Sequence, residues 1–391
     1  MTEKSKILRS VGFVSFLRSF GYGSLWSFIV LFLTEKFHLS LTFVGSYLFL
    51  VGIIGASSQI FYGALTDSYG RKRFLFIGQI GQGFSFFLFG IGGLIGNVII
   101  LMFSILIQSL FSNMVFTSIN TIIADIFEEN ERFKGYAIQR ALANLGWGIG
   151  PTVGGIVYEL NDLTISFIIL GLFLSLVSII FINIPETNLN RNYFKFSDII
   201  EPLKNRLFLF YNIASFLTFV VFGQLTSTYP FYENEIVGIS VFYIGITWTL
   251  NGILVGIFQY PSARKVNNKN AFYFLIYGSL IYGLGYFILP FSSSLIILFI
   301  SMIIITIGEI IYSSSATATA VNFAKDNEKG KYAGSFGFFT NIGRSMGTLY
   351  GGLIFSLTAD YKIKWFLIFL LSIISSVIYF IIFKNKKRKI F

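Results

Sequence analysis

Arg18, Glu309 and Arg344 lie deep inside long apolar stretches of this 391-residue sequence. A charge at such depth is costly in a membrane, so each needs a partner or a function. Counting back from Phe323 to Glu309, and on from Lys331 to Arg344, puts both roughly 20 Å from the same ends of two successive helices at 1.5 Å per residue. Level with one another, they can form a fixed ion pair. The alternative is proton chemistry: a carboxyl group shielded from water keeps its proton, and gives it up when a guanidinium comes alongside. Glu309, the sole carboxylate near the middle of any stretch, and Arg344 are therefore the candidates for proton coupling. Arg18 has no acid in its own stretch. Its partner must be helix-end carbonyls, Asp125 or an anionic group on a ligand.

Other chemistry is poorly supplied. The chain has no cysteine and a single histidine, His38, which removes disulfides, thiol catalysis and histidine metal clusters. No nucleophile, base and oxyanion constellation is recognisable. The reading is of a non-enzymatic protein with no metal site and no cofactor.

The elements that must position these charges are membrane helices. Hydrophobic residues make up 54% of the chain and charged residues 12%, where soluble domains carry roughly 25% charged. Apolar runs long enough to cross a bilayer of roughly 30 Å fall at Val11–Leu33, Val44–Leu65, Phe74–Leu94, Val98–Ala124, Tyr136–Leu160, Thr164–Ile184, Leu207–Tyr229, Phe242–Tyr260, Ala271–Pro290, Leu295–Phe323, Tyr332–Ser356 and Trp365–Phe383. The expected fold is an all-α membrane protein with twelve transmembrane helices, both termini on one side.

Charge placement sets the orientation. All but six of the 29 Lys and Arg fall in alternate connections, counted from the N-terminus to the basic tail. Lys36, Lys362 and Lys364 lie in the other connections, and Arg18, Arg140 and Arg344 within spans. This bias puts both termini in the cytoplasm of a cell-membrane protein. It also accounts for the net charge of +11 without a nucleic-acid partner. The implied partners are the lipid bilayer and a small-molecule substrate, with the chain acting as a monomer.

The longest polar connection, residues 185–206, separates a first bundle, 1–184, from a second, 207–391. A pattern N-x-G-x-x-x-G-x-x-x-G-G starts at Asn144, with Gly146, Gly150, Gly154 and Gly155, and starts again at Asn341. Small residues four apart let helix backbones approach closely, while Pro151 breaks a helical hydrogen bond. Two pseudo-symmetric six-helix bundles around a shared site are how many transporters alternate access.

The connection after the second span reads Gly63-Ala64-Leu65-Thr66-Asp67-Ser68-Tyr69-Gly70-Arg71-Lys72. It resembles G-x-L-x-D-x-x-G-R-K, the signature loop of the major facilitator superfamily, and the resemblance covers essentially the whole chain. Its glycines suit close approach and a tight turn, Asp67 suits cationic groups and helix N-terminal amides, and Arg71 and Lys72 hold the loop cytoplasmic. In that family the loop latches the outward-open state.

The glycines around Pro151 resemble the fifth-helix motif of the drug:proton antiporters of that superfamily. The arginine usual in their fourth helix is replaced by Ile105. In the superfamily the first, fourth, seventh and tenth helices line the cavity, which here offers Arg18, Tyr22, Trp26, Gln108, Asn113, Gln224, Tyr229 and Tyr312. Aromatic walls with scattered polar groups suit an amphipathic organic molecule. The resemblance implies a secondary transporter driven by a proton gradient and exporting small organic or amphipathic compounds by alternating access. An importer of a peptide, sugar or organic anion, or a lipid-linked substrate flippase, are the alternatives on the same fold.

Overall fold

The structure is a computed structural model describing residues 3–26, 29, 32–39, 41–160, 163–187, 197–239, 241–291, 294–325 and 328–388. Parts of the first expected span and of the 185–206 connection lie outside the described residues. Among the described residues the secondary structure is helical throughout.

In chain order the helices are α1 (Glu3–Trp26), α2 (Leu41–Tyr69), α3 (Arg71–Leu94), α4 (Val98–Ile126), α5 (Arg132–Leu160) and α6 (Leu163–Val177), the last prolonged by a 3-10 turn, Ser178–Asn183. A short α7 (Ser197–Lys204) leads into α8 (Arg206–Gly223). The seventh expected span then breaks into a 3-10 turn, Gln224–Thr226, and α9 (Thr228–Phe231). There follow α10 (Val241–Ala263), α11 (Ala271–Phe287), α12 (Leu295–Ser313), α13 (Ala316–Val321), α14 (Lys329–Leu357) and α15 (Tyr361–Arg388).

Starts and stops follow local chemistry. Asn97 caps α4, its side chain accepting from the amides of Ile99 and Ile100 at 3.0 and 3.2 Å, and Asn205 caps α8 through the Phe208 amide at 3.3 Å. Gly70, at φ 102, makes the turn between α2 and α3 in a conformation that side-chain-bearing residues rarely adopt.

Eight helical runs among the described residues are long and apolar enough to cross a membrane. They correspond to α2, α3, α4, α6, α8, α11, α12 with α13, and α15. Helices α1, α5, α10 and α14 fall at the remaining expected spans but are not among the eight. Of these, α5 and α14 carry the repeated glycine pattern, and α1, α5 and α14 carry Arg18, Arg140 and Arg344.

The chain divides into two compact units, one of residues 1–128, 138–199 and 325–334, the other of 129–137, 200–324 and 335–391. Their internal packing repeats. In the first unit α3 packs on α4 and α6, and α2 on α4; in the second α11 packs on α12 and α15, and α10 on α12. The core of the first is built on Phe86, Phe89, Leu101 and Phe167, and that of the second on Tyr282, Tyr286, Leu298 and Trp365. Outward positions are apolar, as at Ile169 and Leu176, 61% and 63% exposed, because lipid replaces water outside.

Candidate functional site

In the second unit α12 carries Glu309, which is 6% exposed. Asn251, on α10, points its Nδ2 at this carboxyl group, donating to Oε2 at 2.9 Å and also reaching Thr306 Oγ1 at 2.9 Å. The two α12 residues are three apart and therefore share one helix face, which α10 covers with a single polar side chain. Arg344, on α14, lays its guanidinium over the Phe222 ring, 4.4 Å from the centroid, and 5.7 Å from that of Phe219. Both Glu309 and Arg344 lie within electrostatic reach of Tyr282, so the fold brings the two expected coupling residues into one neighbourhood.

The other second-unit candidates occupy hydrogen-bonded positions. Tyr312 meets the Tyr379 hydroxyl at 2.9 Å, and Tyr379 meets Ser215 at 2.8 Å. Beside them Thr218 meets Ser375 at 2.7 Å and Ser279 at 3.1 Å. Each hydroxyl can donate one hydrogen bond and accept others, so neighbouring hydroxyls in this buried network partner one another. Gln224 donates to the carbonyls of Val220 and Gly347 at 2.9 and 2.8 Å and accepts from Thr228 at 2.7 Å. That spends its amide on pinning the broken end of α8 to α14. Tyr229 donates to the Leu298 carbonyl at 3.1 Å.

In the first unit Arg18 donates from Nε to Gln82 Oε1 at 3.1 Å. A neutral amide from α3 is therefore its partner among the described residues, not Asp125 or another carboxylate. One turn on, Tyr22 stacks on Trp26 with centroids 4.8 Å apart and packs against Trp147 at 5.7 Å and edge-on to Phe86 at 6.1 Å. Arg18, Tyr22 and Trp26, spaced four apart, form one stripe of α1 that ends a guanidinium in an aromatic cluster. Gln108 is buried, and among the described residues its Nε2 has no hydrogen-bond partner. Asn113 accepts from Gln59 at 2.5 Å and donates to the Ser109 carbonyl at 2.9 Å, tying α2 to α4.

The signature loop is held by ionic and backbone contacts within the first unit. Asp67 Oδ1 accepts the Gly330 amide at 3.0 Å and Oδ2 the Lys331 amide at 2.8 Å, while the Arg71 guanidinium lies against the same carboxylate. Arg71 Nε also reaches Asp125 Oδ2 at 3.2 Å, and Lys329 Nζ stands 3.5 Å from Asp125 Oδ1. The Arg71 and Lys72 amides at the start of α3 donate to Glu186 at 2.8 and 3.3 Å, and Lys72 Nζ to the Ile182 carbonyl at 2.6 Å. Gly63 permits the closest backbone approach, since a Cβ there would strike the Gly330 carbonyl and come within 3.1 Å of the Gly334 Cα.

The glycine pattern performs the same packing twice. A Cβ on Gly146 would strike the Phe16 carbonyl and one on Gly150 would lie 2.6 Å from that of Phe20; on Gly343 and Gly347 it would lie 2.6 and 2.5 Å from those of Phe216 and Val220. Thus α5 crosses α1 as α14 crosses α8. Pro151, Gly154 and Gly155 belong to the α5 helix, but their surroundings lie outside the described residues.

The sequence reading overlooked Asn251, whose role appears only when α10 is laid on α12. It also overlooked Glu233, which is fully buried.

Comparison with known proteins adds kinship. Residues 11–348 match the family described as Major Facilitator Superfamily. The chain is 25% identical over 313 residues to the Quinolone resistance protein NorA of Staphylococcus aureus, covering 78% of this chain and 80% of that protein. It is 23% identical over 374 residues to the Na(+), Li(+), K(+)/H(+) antiporter of Planococcus maritimus, covering 88% and 87%. The crystal structure of the human organic anion transporter MFSD10 (TETRAN) shares the fold, with a TM-score of 0.83 at 16% identity over 97% of this chain and 100% of that one. Because the family match takes in helices of both repeats, from α1 into α14, this chain belongs to the Major Facilitator Superfamily of membrane transporters.

Proposed function

We propose that the protein is a proton-coupled exporter of small organic or amphipathic compounds, working by alternating access in the cell membrane. On this reading it has twelve crossings and two six-helix halves with cytoplasmic termini. Glu309 carries the proton, and the loop around Asp67 holds one end state. The carrying observation is the Glu309 carboxyl group itself, buried in α12 and hydrogen-bonded by Asn251. A group enclosed in this way can exist charged or neutral according to what faces it, and two conformations that face it differently have different proton affinities. The resemblance to a quinolone resistance protein and to a cation/proton antiporter supports export and coupling.

The test is transport in proteoliposomes with an imposed pH gradient, after a ligand has been found by thermal stabilisation of the purified protein. Glu309→Gln mimics the permanently protonated acid. It should abolish gradient-driven accumulation and leave ligand binding and downhill exchange in place. Accumulation that survives the substitution removes Glu309 from the mechanism.

A further inference from the structure

Two five-residue π-helical turns, Phe32–Lys36 and Tyr232–Ile236, occupy corresponding places in the two units. Each is closed by an amide returning to its second residue, Leu39 to the Leu33 carbonyl at 3.3 Å and Ile239 to the Glu233 carbonyl at 2.9 Å. Each is followed by a residue at positive φ, His38 at 53° and Gly238 at 76°. The second residue is fully buried in both turns, but it is leucine in one and glutamate in the other. The turn therefore does not require a carboxyl group, and a leucine satisfies the same position.

The surroundings of Glu233 do not suit a charge. Among the described residues its Oε1 accepts a long hydrogen bond from the Thr247 hydroxyl, at 3.5 Å, and its Oε2 has no partner in hydrogen-bonding geometry. From α9, Tyr229 lies beside it but gives its hydroxyl proton to the Leu298 carbonyl at 3.1 Å. From α10 the facing group is Thr247. Tyr232, in the same turn, packs on Tyr361 and Trp365, and Lys364 sits over the Tyr361 ring at 4.1 Å. Among the described residues neither Lys364 nor any other cation forms an ion pair with Glu233. A buried, unpaired carboxylate is far more costly than the neutral acid.

We infer that Glu233 is a proton-binding site, neutral in this conformation, lying just beyond the apolar run of α8 and separate from Glu309. On the topology proposed above it stands at the end of the seventh span away from the cytoplasm, where opening of the turn to water would release the proton. Burial pushes the carboxyl group up from its ordinary value to about 8, which agrees with this geometry. The inference does not depend on Glu309 being the coupling residue.

Infrared spectroscopy of the full chain in liposomes tests it, because the C=O stretch of a protonated carboxyl group reports the proton directly. The parent minus Glu233→Gln difference should contain a protonated-carboxyl band at neutral pH that is lost with a midpoint near 8. Glu233→Leu, which copies the other turn, should lose the same band and provides a second folded reference. The Glu309→Gln variant should keep the band with that midpoint, so that the band cancels from the parent minus Glu309→Gln difference. If both Glu233 variants retain the parent's full protonated-carboxyl signal at neutral pH, Glu233 is ionised and the inference is wrong. If the band goes with Glu309→Gln instead, it is equally wrong.

Discussion

Asp67 closes the first turn of α14, taking the Gly330 amide on one carboxylate oxygen at 3.0 Å and the Lys331 amide on the other at 2.8 Å. Those amides belong to the group at a helix start that has no partner within the helix. The Arg71 guanidinium meets Oδ1 as well and offsets the negative charge, so the carboxylate is held by two backbone dipoles and one cation.

Asp67→Asn keeps one acceptor oxygen and turns an NH2 group towards an amide, at a cost of about 1 kcal/mol on the scale of helix caps. The variant should purify folded, with a transport rate lowered on the order of tenfold as that contact biases the conformational equilibrium. Liposome rates equal to those of the parent would show that the contact is structural only.

Arg18 is partnered by the neutral amide of Gln82, so an anionic or strongly polarised ligand group can gain from it without displacing a carboxylate. Arg18→Gln should weaken binding roughly ten- to hundredfold, as for loss of one charge-assisted contact, while the unliganded melting temperature changes little. The reverse pattern, unchanged affinity with a lower melting temperature, assigns Arg18 to packing.

Gly146 and Gly343 meet backbone carbonyls of the crossing helix, Phe16 and Phe216. Leucine at either position should destabilise by at least about 1–3 kcal/mol, because backbone cannot move aside as a side chain can. Gly352, with nothing within 4 Å of an added Cβ, should accept alanine neutrally or gain about 0.5–1 kcal/mol from its helix preference. Melting temperatures of the three variants decide the point; equal losses at all three sites would refute the packing argument.

Glu233 makes stability depend on pH. Its carboxyl group holds its proton up to about 8 in the folded protein, against an ordinary value of 4.5. Between those values the folded state binds more protons than the unfolded one, so stability must fall as pH rises through that window and level off above it. Thermal unfolding of the parent should therefore show a decline from about pH 5 to about pH 8 that is smaller in Glu233→Gln and Glu233→Leu. Parallel curves for parent and variants would contradict it.

Hydropathy was enough to place the helices, since apolar length is a local property. It did not reveal the breaks. The run expected at Leu295–Phe323 stops at Ser313 and resumes as α13 after the hydroxyls of Ser314 and Ser315, which bond to Ser262 and the Ala271 carbonyl. Candidate residues could be singled out where a charge stood inside an apolar run, as with Glu309 and Arg344. Asn251 is one polar residue in a helix of ordinary composition, and its meaning depends on α12 beside it. Glu233 falls just past an apolar run, where a window method reads loop, and its burial comes from tertiary packing of the aromatic residues around it.

The two π-turns give the molecule an internal reference. Leucine in one stands where glutamate stands in the other, and histidine where glycine stands, within one polypeptide and under the same lipid, buffer and temperature. A hydrogen-exchange measurement on the Leu39 and Ile239 amides would therefore compare a neutral turn with an acidic one in a single sample, without any mutation. The ratio of the two rates, followed as pH is raised, is insensitive to changes that affect both halves alike, so it isolates the opening of the acidic turn.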